Sequence, residues 1–367
     1  MPRDRERDVA VKFPIAAISL LMRYLERRGE ARSRASANGE GMRFRTLLTV
    51  SFFALVPMLG PAAPLGPTAT LAASVAPIAA GVAPNVPAVV LQAPHSPAYL
   101  LCPAAVSTRE ACEATAAARG GAAARALSAA AHRPGVKIVV LFVGGFRTSF
   151  AHGLSVAQTV AGGLGGRFLV VFVDWGSRGK ALDYELDAHA AKRNVPAFAA
   201  LVTDLHRALP DRPIGVFAHS MGARVVAGAM RVLPPASDGS SIVGEAVLAA
   251  PDLALNDYLK AITRKPEPFR RVTIYSSTGD HALALSEIVH LHHRLGQVAM
   301  WRHTIANTVV VDASAADKDA DGHGYALRDP RVIADIGDVL LGAPVPHAAW
   351  QGKSGAAWRL DPTRVPP

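Results

Sequence analysis

The sequence predicts an α/β fold: a mostly parallel sheet with helices on both faces and no large lid. Six short apolar runs follow Pro134, at residues 136–143 (VKIVVLFV), 168–173 (FLVVFV), 214–218 (IGVFA), 246–250 (AVLAA), 272–276 (VTIYS) and 308–311 (TVVV). Continuous runs of this length are expected of strands buried on both faces. Helix-length segments separate them, at residues 151–163, 195–209, 221–232 and 283–295. Alternation of this kind builds a parallel sheet covered on both sides. In such sheets ligands bind beyond the carboxyl ends of the strands. The stretch between Asp252 and Arg271 is too short for a large lid.

The 367 residues, 50% of them hydrophobic, supply one sizeable core with appendages. The formal net charge of +10 raises the question of nucleic acid, but residues 1–45 alone hold eleven Lys/Arg against six Asp/Glu. No basic stripe interleaved with aromatics follows, so nucleic acid is not an expected partner. Residues 1–41 read as a basic leader, with Met42 as an alternative start. Residues 42–63 join a basic n-region to an apolar h-region, the pattern of a signal peptide. An uncleaved membrane anchor through residues 46–59 is the second reading, although that run is short for a hydrocarbon core ~30 Å thick. The expected location is therefore periplasmic or secreted, or else membrane-anchored.

Residues 46–108 carry no charged side chain, and prolines recur through them. Residues 64–109 are accordingly expected to be an Ala/Pro-rich spacer, because prolines forbid a continuous helix and a central strand. The alanine-rich residues 110–134 predict a helix at the domain edge. Residues 346–367 are expected to be a C-terminal tail. The two cysteines, Cys102 and Cys112, lack neighbours at metal-ligand spacing, and in an oxidising compartment they can close a disulfide.

The sharpest chemical signal is Ala218-His219-Ser220-Met221-Gly222, placed between the run IGVFA and a helical segment. A strand–turn–helix context gives meaning to a match of the G-x-S-x-G type, because the tight turn lifts the serine Oγ above the sheet. Ala218 stands in for the first glycine and is still small. Such a serine needs an acid and then a base further along the chain. Asp280 follows the strand VTIYS, and His323 lies past the last strand in Asp321-Gly322-His323-Gly324. Asp252, after AVLAAP, is the alternative acid. His219 adjoins the serine but points away from it in such a turn, so its expected role is structural. Two backbone N–H groups complete the pattern as an oxyanion hole, those of Met221 and of Phe146 in Gly144-Gly145-Phe146.

Within a domain expected at 136–345, residues 136–341 resemble the bacterial esterase/lipase-like α/β-hydrolases known as "domain of unknown function 900". The matching segments are GGFRTSF, VDWGSRG, AHSMGARV, VLAAPDL, YSSTGDHALALS and GHGYAL, in that order. The resemblance implies an α/β-hydrolase domain with Ser220, Asp280 and His323 as the triad and Phe146 and Met221 at the oxyanion hole. It identifies no substrate. That family usually has His-Gly where Gly144-Gly145 stands here, and loss of the bracing histidine predicts a looser oxyanion loop.

The expected activity is hydrolysis of small or medium esters through an acyl-enzyme, with no metal or organic cofactor. An acyltransferase with the same triad, and a non-catalytic hydrolase-like envelope protein, are the alternatives. Residues 317–322 (DKDADG) match the start of a calcium loop, but Arg328 stands where its glutamate belongs. His290, His292 and His293 are expected to decorate one exposed helix.

Overall fold

The computed structural model describes residues 85–343 apart from 96–97, 103–105, 120, 237, 264–266, 298–304 and 317–320, together with 348–351 and 358–360. The expected leader, the signal-or-anchor segment, the start of the spacer, most of the tail and the greater part of the calcium-loop match lie outside these residues. Among the described residues no helix is long and apolar enough to cross a membrane.

Ten strands form one sheet: β1 (Ala88–Leu91), β2 (Tyr99–Leu101), β3 (Ile138–Val143), β4 (Phe168–Asp174), β5 (Ile214–His219), β6 (Val243–Ala249), β7 (Phe269–Ser276), β8 (Thr308–Asp312), β9 (Ala348–Gln351) and β10 (Trp358–Leu360). Their spatial order is β2-β1-β4-β3-β5-β6-β7-β8-β10-β9. Every pairing is parallel except the outermost ones, β1 with β2 and β9 with β10.

The expected spacer is a correction. β1 and β2 fall within residues 64–109, and β1 lies between β2 and β4. Pro87 and Pro94 flank AVVL rather than interrupt it, and Val89 and Val90 are fully buried. A proline lacks the N–H but keeps its acceptor, and the Pro87 carbonyl takes the N–H of Phe172 at 2.9 Å. A strand of four residues needs only the gap between two prolines. The expected tail likewise contributes β9 and β10, and β10 pairs with β8.

The helices are α1 (Arg109–Arg119), α2 (Ala122–Ala131), α3 (Phe150–Leu164), α4 (Tyr184–Arg193), α5 (Val195–Ala208), α6 (Gly222–Met230), α7 (Leu255–Ile262), α8 (His281–His290), α9 (Tyr325–Arg328) and α10 (Pro330–Leu340). The single edge helix expected at 110–134 is thus two, broken next to Gly121. α8 stops at His290, short of the expected end, because Leu291 turns left-handed at φ 55°. The only helix between Asp252 and Arg271 among the described residues is α7, of eight residues.

Alternation along the strands separates two cores. Val139, Leu141 and Val143 of β3 face α5 and α6, whereas Ile138, Val140 and Phe142 face α3 and α10. A disulfide joins Cys102, just after β2, to Cys112 in α1, and both residues are buried. Helices on both faces leave the carboxyl ends of β3, β5, β6 and β7 as the place where loops meet.

Candidate active site

Ser220 follows directly on β5 and precedes α6. It is held at φ 52°, a left-handed conformation that costs an L-residue roughly 1–2 kcal/mol. Three backbone hydrogen bonds fix it there. Its N–H donates to Ala249 O at 3.0 Å, and its carbonyl accepts from Ala223 N and Asp252 N, each at 3.1 Å. Neighbouring backbone packs so closely that two glycines are obligatory. A Cβ on Gly145 would lie 2.9 Å from Ser220 Cβ, and one on Gly222 would lie 2.5 Å from the carbonyl oxygens of Val143 and Gly144. Ala218, fully buried, shows that the first glycine of the pattern is not required by packing here.

His323 reaches the same region from the loop between β8 and α9. Gly322, at φ 66°, lets that loop press on the Gly279 carbonyl, where no side chain fits. The His281 N–H also donates to Asp321 O at 2.9 Å, tying the loop to the start of α8. The result places His323 Nδ1 2.7 Å from Asp280 Oδ2, with the Nδ1–H donating to the carboxylate. Asp280 is 1% exposed, and its Oδ1 accepts the N–H of Leu283 at 2.9 Å as the N-cap of α8. Burial opposes charge on His323, but the Asp280 carboxylate outweighs it and raises the pKa above the ordinary value of 6.5.

His219 behaves differently. Burial, reinforced by the charge on His323, lowers its pKa to about 3. Its neutral ring donates from Nε2 to the His323 carbonyl at 3.1 Å, with ring centroids 4.8 Å apart.

Asp252 is not paired with His323 Nδ1. Its carboxylate accepts from Tyr184 Oη at 2.5 Å, Ser286 Oγ at 2.7 Å and Arg224 Nη2 at 3.1 Å, and lies 3.4 Å from Arg294 Nε. Burial works against this charge, but the two guanidinium groups prevail and hold the pKa at about 2. Asp252 therefore ties α4, α6 and α8 together at one wall of the site.

Ser220 and His323 border a cavity of about 300 Å3, at the small end for ligand sites, walled in part by Phe142, Phe146, Leu283 and Val289. Phe146 stands on its rim, while the Met221 side chain is fully buried. Among the described residues, the backbone N–H groups of Phe146 and Met221 meet no acceptor. The loop expected to be loose for want of a histidine at position 144 has a brace that sequence reasoning missed. Trp175 Nε1 donates to the Gly144 carbonyl at 2.7 Å, and Asn194 Nδ2 donates to the Trp175 carbonyl at 3.0 Å. Trp175 stands in the quoted segment VDWGSRG, but nothing local reveals a contact 31 residues away. His290 packs on Tyr184 with ring centroids 5.2 Å apart rather than lying exposed, and His293 bonds Glu287. Among the described residues no group of three potential metal ligands occurs.

A mostly parallel sheet bearing a left-handed serine between strand and helix, with a histidine–aspartate pair in the same cavity, defines an α/β hydrolase. The chain belongs to the family described as "Alpha/beta hydrolase of unknown function (DUF900)", whose profile matches residues 121–341. No curated protein matches. Solved structures with similarity include a cutinase from Trichoderma reesei (18% identity, 31% of this chain and 51% of that one, TM-score 0.23). Lipase B from Aspergillus fumigatus is similar at 15% identity over 58% of this chain and 54% of that one, with TM-score 0.40. A carboxylesterase from Bacillus subtilis is similar at 12% identity over 57% and 85%, with TM-score 0.32. The chain thus spans about half the length of the first two.

Proposed function

We propose that this chain is a serine carboxylesterase acting on small or medium esters, with Ser220 as nucleophile, His323 as general base and Asp280 as the orienting acid. The observation that carries this is the pair Asp280–His323 beside a serine held left-handed at the same cavity. With Nδ1–H engaged by Asp280, the His323 tautomer leaves Nε2 as the basic nitrogen. Nε2 takes the Ser220 proton while Oγ bonds to the ester carbonyl carbon. The carbonyl oxygen becomes an oxyanion that the free N–H groups of Phe146 and Met221 stabilise. His323 then returns the proton to the departing alkoxide, leaving an acyl-serine and a free alcohol. Water, deprotonated by the same imidazole, attacks the acyl carbon; the bond to Oγ then breaks, His323 returns the proton to Ser220, and the carboxylic acid leaves.

The apolar walls and the volume of about 300 Å3 suit a short or medium hydrocarbon acyl group better than a long one. The buried Cys102–Cys112 disulfide favours an oxidising compartment, which supports export. The test is a fluorophosphonate probe followed by p-nitrophenyl esters of graded chain length. Wild-type protein is expected to label at Ser220 and to prefer short to medium acyl chains. Ser220→Ala is expected to lose both labelling and turnover, and full activity in that variant rules the proposal out.

A further inference from the structure

We propose that Asp187, acting partly through Ser177, is a positioning residue that holds the oxyanion loop against Ser220; this rests on the esterase reading above. Asp187 lies in the first turn of α4 and is fully buried. Its Oδ2 accepts the backbone N–H of Arg147 at 3.3 Å and the hydroxyl of Ser177 at 2.6 Å. Its Oδ1 accepts the backbone N–H of Arg178 at 2.8 Å. The Ser177 hydroxyl, having donated its proton to Asp187, accepts the N–H of Thr148 at 2.9 Å. The two residues that follow Phe146 therefore both hang from one carboxylate, one directly and one through a single oxygen.

The loop needs such an anchor because of its own backbone. Arg147 sits at φ 59°, a region that side chains other than glycine rarely occupy. Rotation of Arg147 out of that region would turn the Phe146–Arg147 peptide and, through it, shift Phe146 itself, whose own N–H is the donor used in the mechanism. A buried carboxylate is costly unless donors meet its oxygens. Here both oxygens are met, and the donors come from two loops, 146–148, which lines the cavity, and 177–178. Trp175 holds the loop upstream at the Gly144 carbonyl, while Asp187 holds it downstream. Phe146 lies between the two anchors, and this pair does the work expected of the histidine that position 144 lacks.

Two variants test the role. Asp187→Asn keeps the shape but has one acceptor oxygen, so the contact with Arg147 or the one with Arg178 is lost, and with either one the tie between the two loops. Ser177→Ala is milder, removing only the bridge to Thr148 at a half-buried position. Misplacement of a reacting or stabilising group by ~1 Å costs on the order of 100-fold. Turnover is expected to fall about 100-fold in Asp187→Asn and about tenfold in Ser177→Ala, with KM within about twofold of wild type. Fluorophosphonate labelling at Ser220 is expected to slow in parallel. Wild-type kcat in Ser177→Ala overturns the proposal even if Asp187→Asn fails to fold, and so does a change confined to KM. Wild-type protein that never labels at Ser220 overturns the esterase reading and this role together. Wild-type labelling with unimpaired variants overturns this role alone.

Discussion

The Asp280 carboxylate serves two masters: one oxygen accepts the His323 Nδ1–H at 2.7 Å, and the other caps α8 through the N–H of Leu283 at 2.9 Å. Asp280→Ala is therefore expected to lower kcat by about 10⁴-fold through the imidazole and to cost about 1 kcal/mol of stability through the lost cap. His323→Ala is expected to lose activity without that capping loss. Kinetics paired with thermal melts of the two variants separate the effects, and an unaltered kcat in Asp280→Ala refutes the assignment.

The raised His323 pKa fixes the sign of the pH profile. A protonated imidazole cannot accept the Ser220 proton, so kcat/KM is expected to climb with pH through an apparent pKa above 6.5. In Asp280→Asn the main opposition to burial is gone, with only the charges of Asp321 and Asp252 still raising the pKa, so the limb moves toward acid. The linkage to folding runs the same way. Stabilisation by the charged pair is full below the unfolded pKa and is lost as pH rises through the folded value. A limb that stays in place in Asp280→Asn counts against the pairing.

For Asp252 the expected signature is unfolding rather than failed chemistry. Its removal leaves Arg294, 4% exposed at the side chain, and Arg224 without their counter-charge. Breaking one partner of a buried ion pair costs about 3–5 kcal/mol. Asp252→Ala should show a large drop in melting temperature and, in whatever fraction stays folded, a pH limb displaced only slightly toward acid, because the Asp252 charge is the least of the causes that raise the His323 pKa. A folded Asp252→Ala protein of native stability with crippled kcat would return the acid role to this residue.

Bracing of the Gly144 carbonyl by Trp175 reverses what the missing histidine predicts. Gly144→His is expected to leave kcat no higher than wild type, because the loop already has an anchor. Trp175→Phe keeps most of the packing and deletes only the donor, and kcat is expected to fall about tenfold with KM little changed. A rise in kcat for Gly144→His, measured with one p-nitrophenyl ester, would show the loop to be loose after all.

The sequence makes the central strands legible because runs such as VKIVVLFV and FLVVFV are buried on both faces and carry no competing pattern. The serine turn is legible for a related reason: small residues at 218 and 222 are local requirements of the packing. β1 is hidden because AVVL is short and set among prolines, whose composition argues for an extended tether. α4 is hidden because YELDAHAAKR looks polar throughout, yet Asp187, Ala190 and Ala191 are its buried face. A carboxylate there reads as solvent-facing until its three donors are seen. The place after VTIYS favours Asp280, but spacing leaves Asp252 open, because both follow strands of the same sheet. What distinguishes the two carboxylates is spatial: Asp280 lies 2.7 Å from His323 Nδ1, and Asp252 lies among Arg224, Arg294, Tyr184 and Ser286.

The hairpin of β1 and β2, with its disulfide to α1, lies ahead of the family-matched residues 121–341. β4 is apolar from Phe168 to Val173 and buried along its whole length, and β1 covers the side of it that β3 does not. A version shortened to the matched residues would bare the backbone of that strand, and with β10 gone that of β8, as unprotected ladders. Edges of this sort recruit a second copy of themselves. Loss of solubility on trimming would then arise from self-association at these edges, so an inactive precipitate from a shortened chain would be no measure of the catalyst.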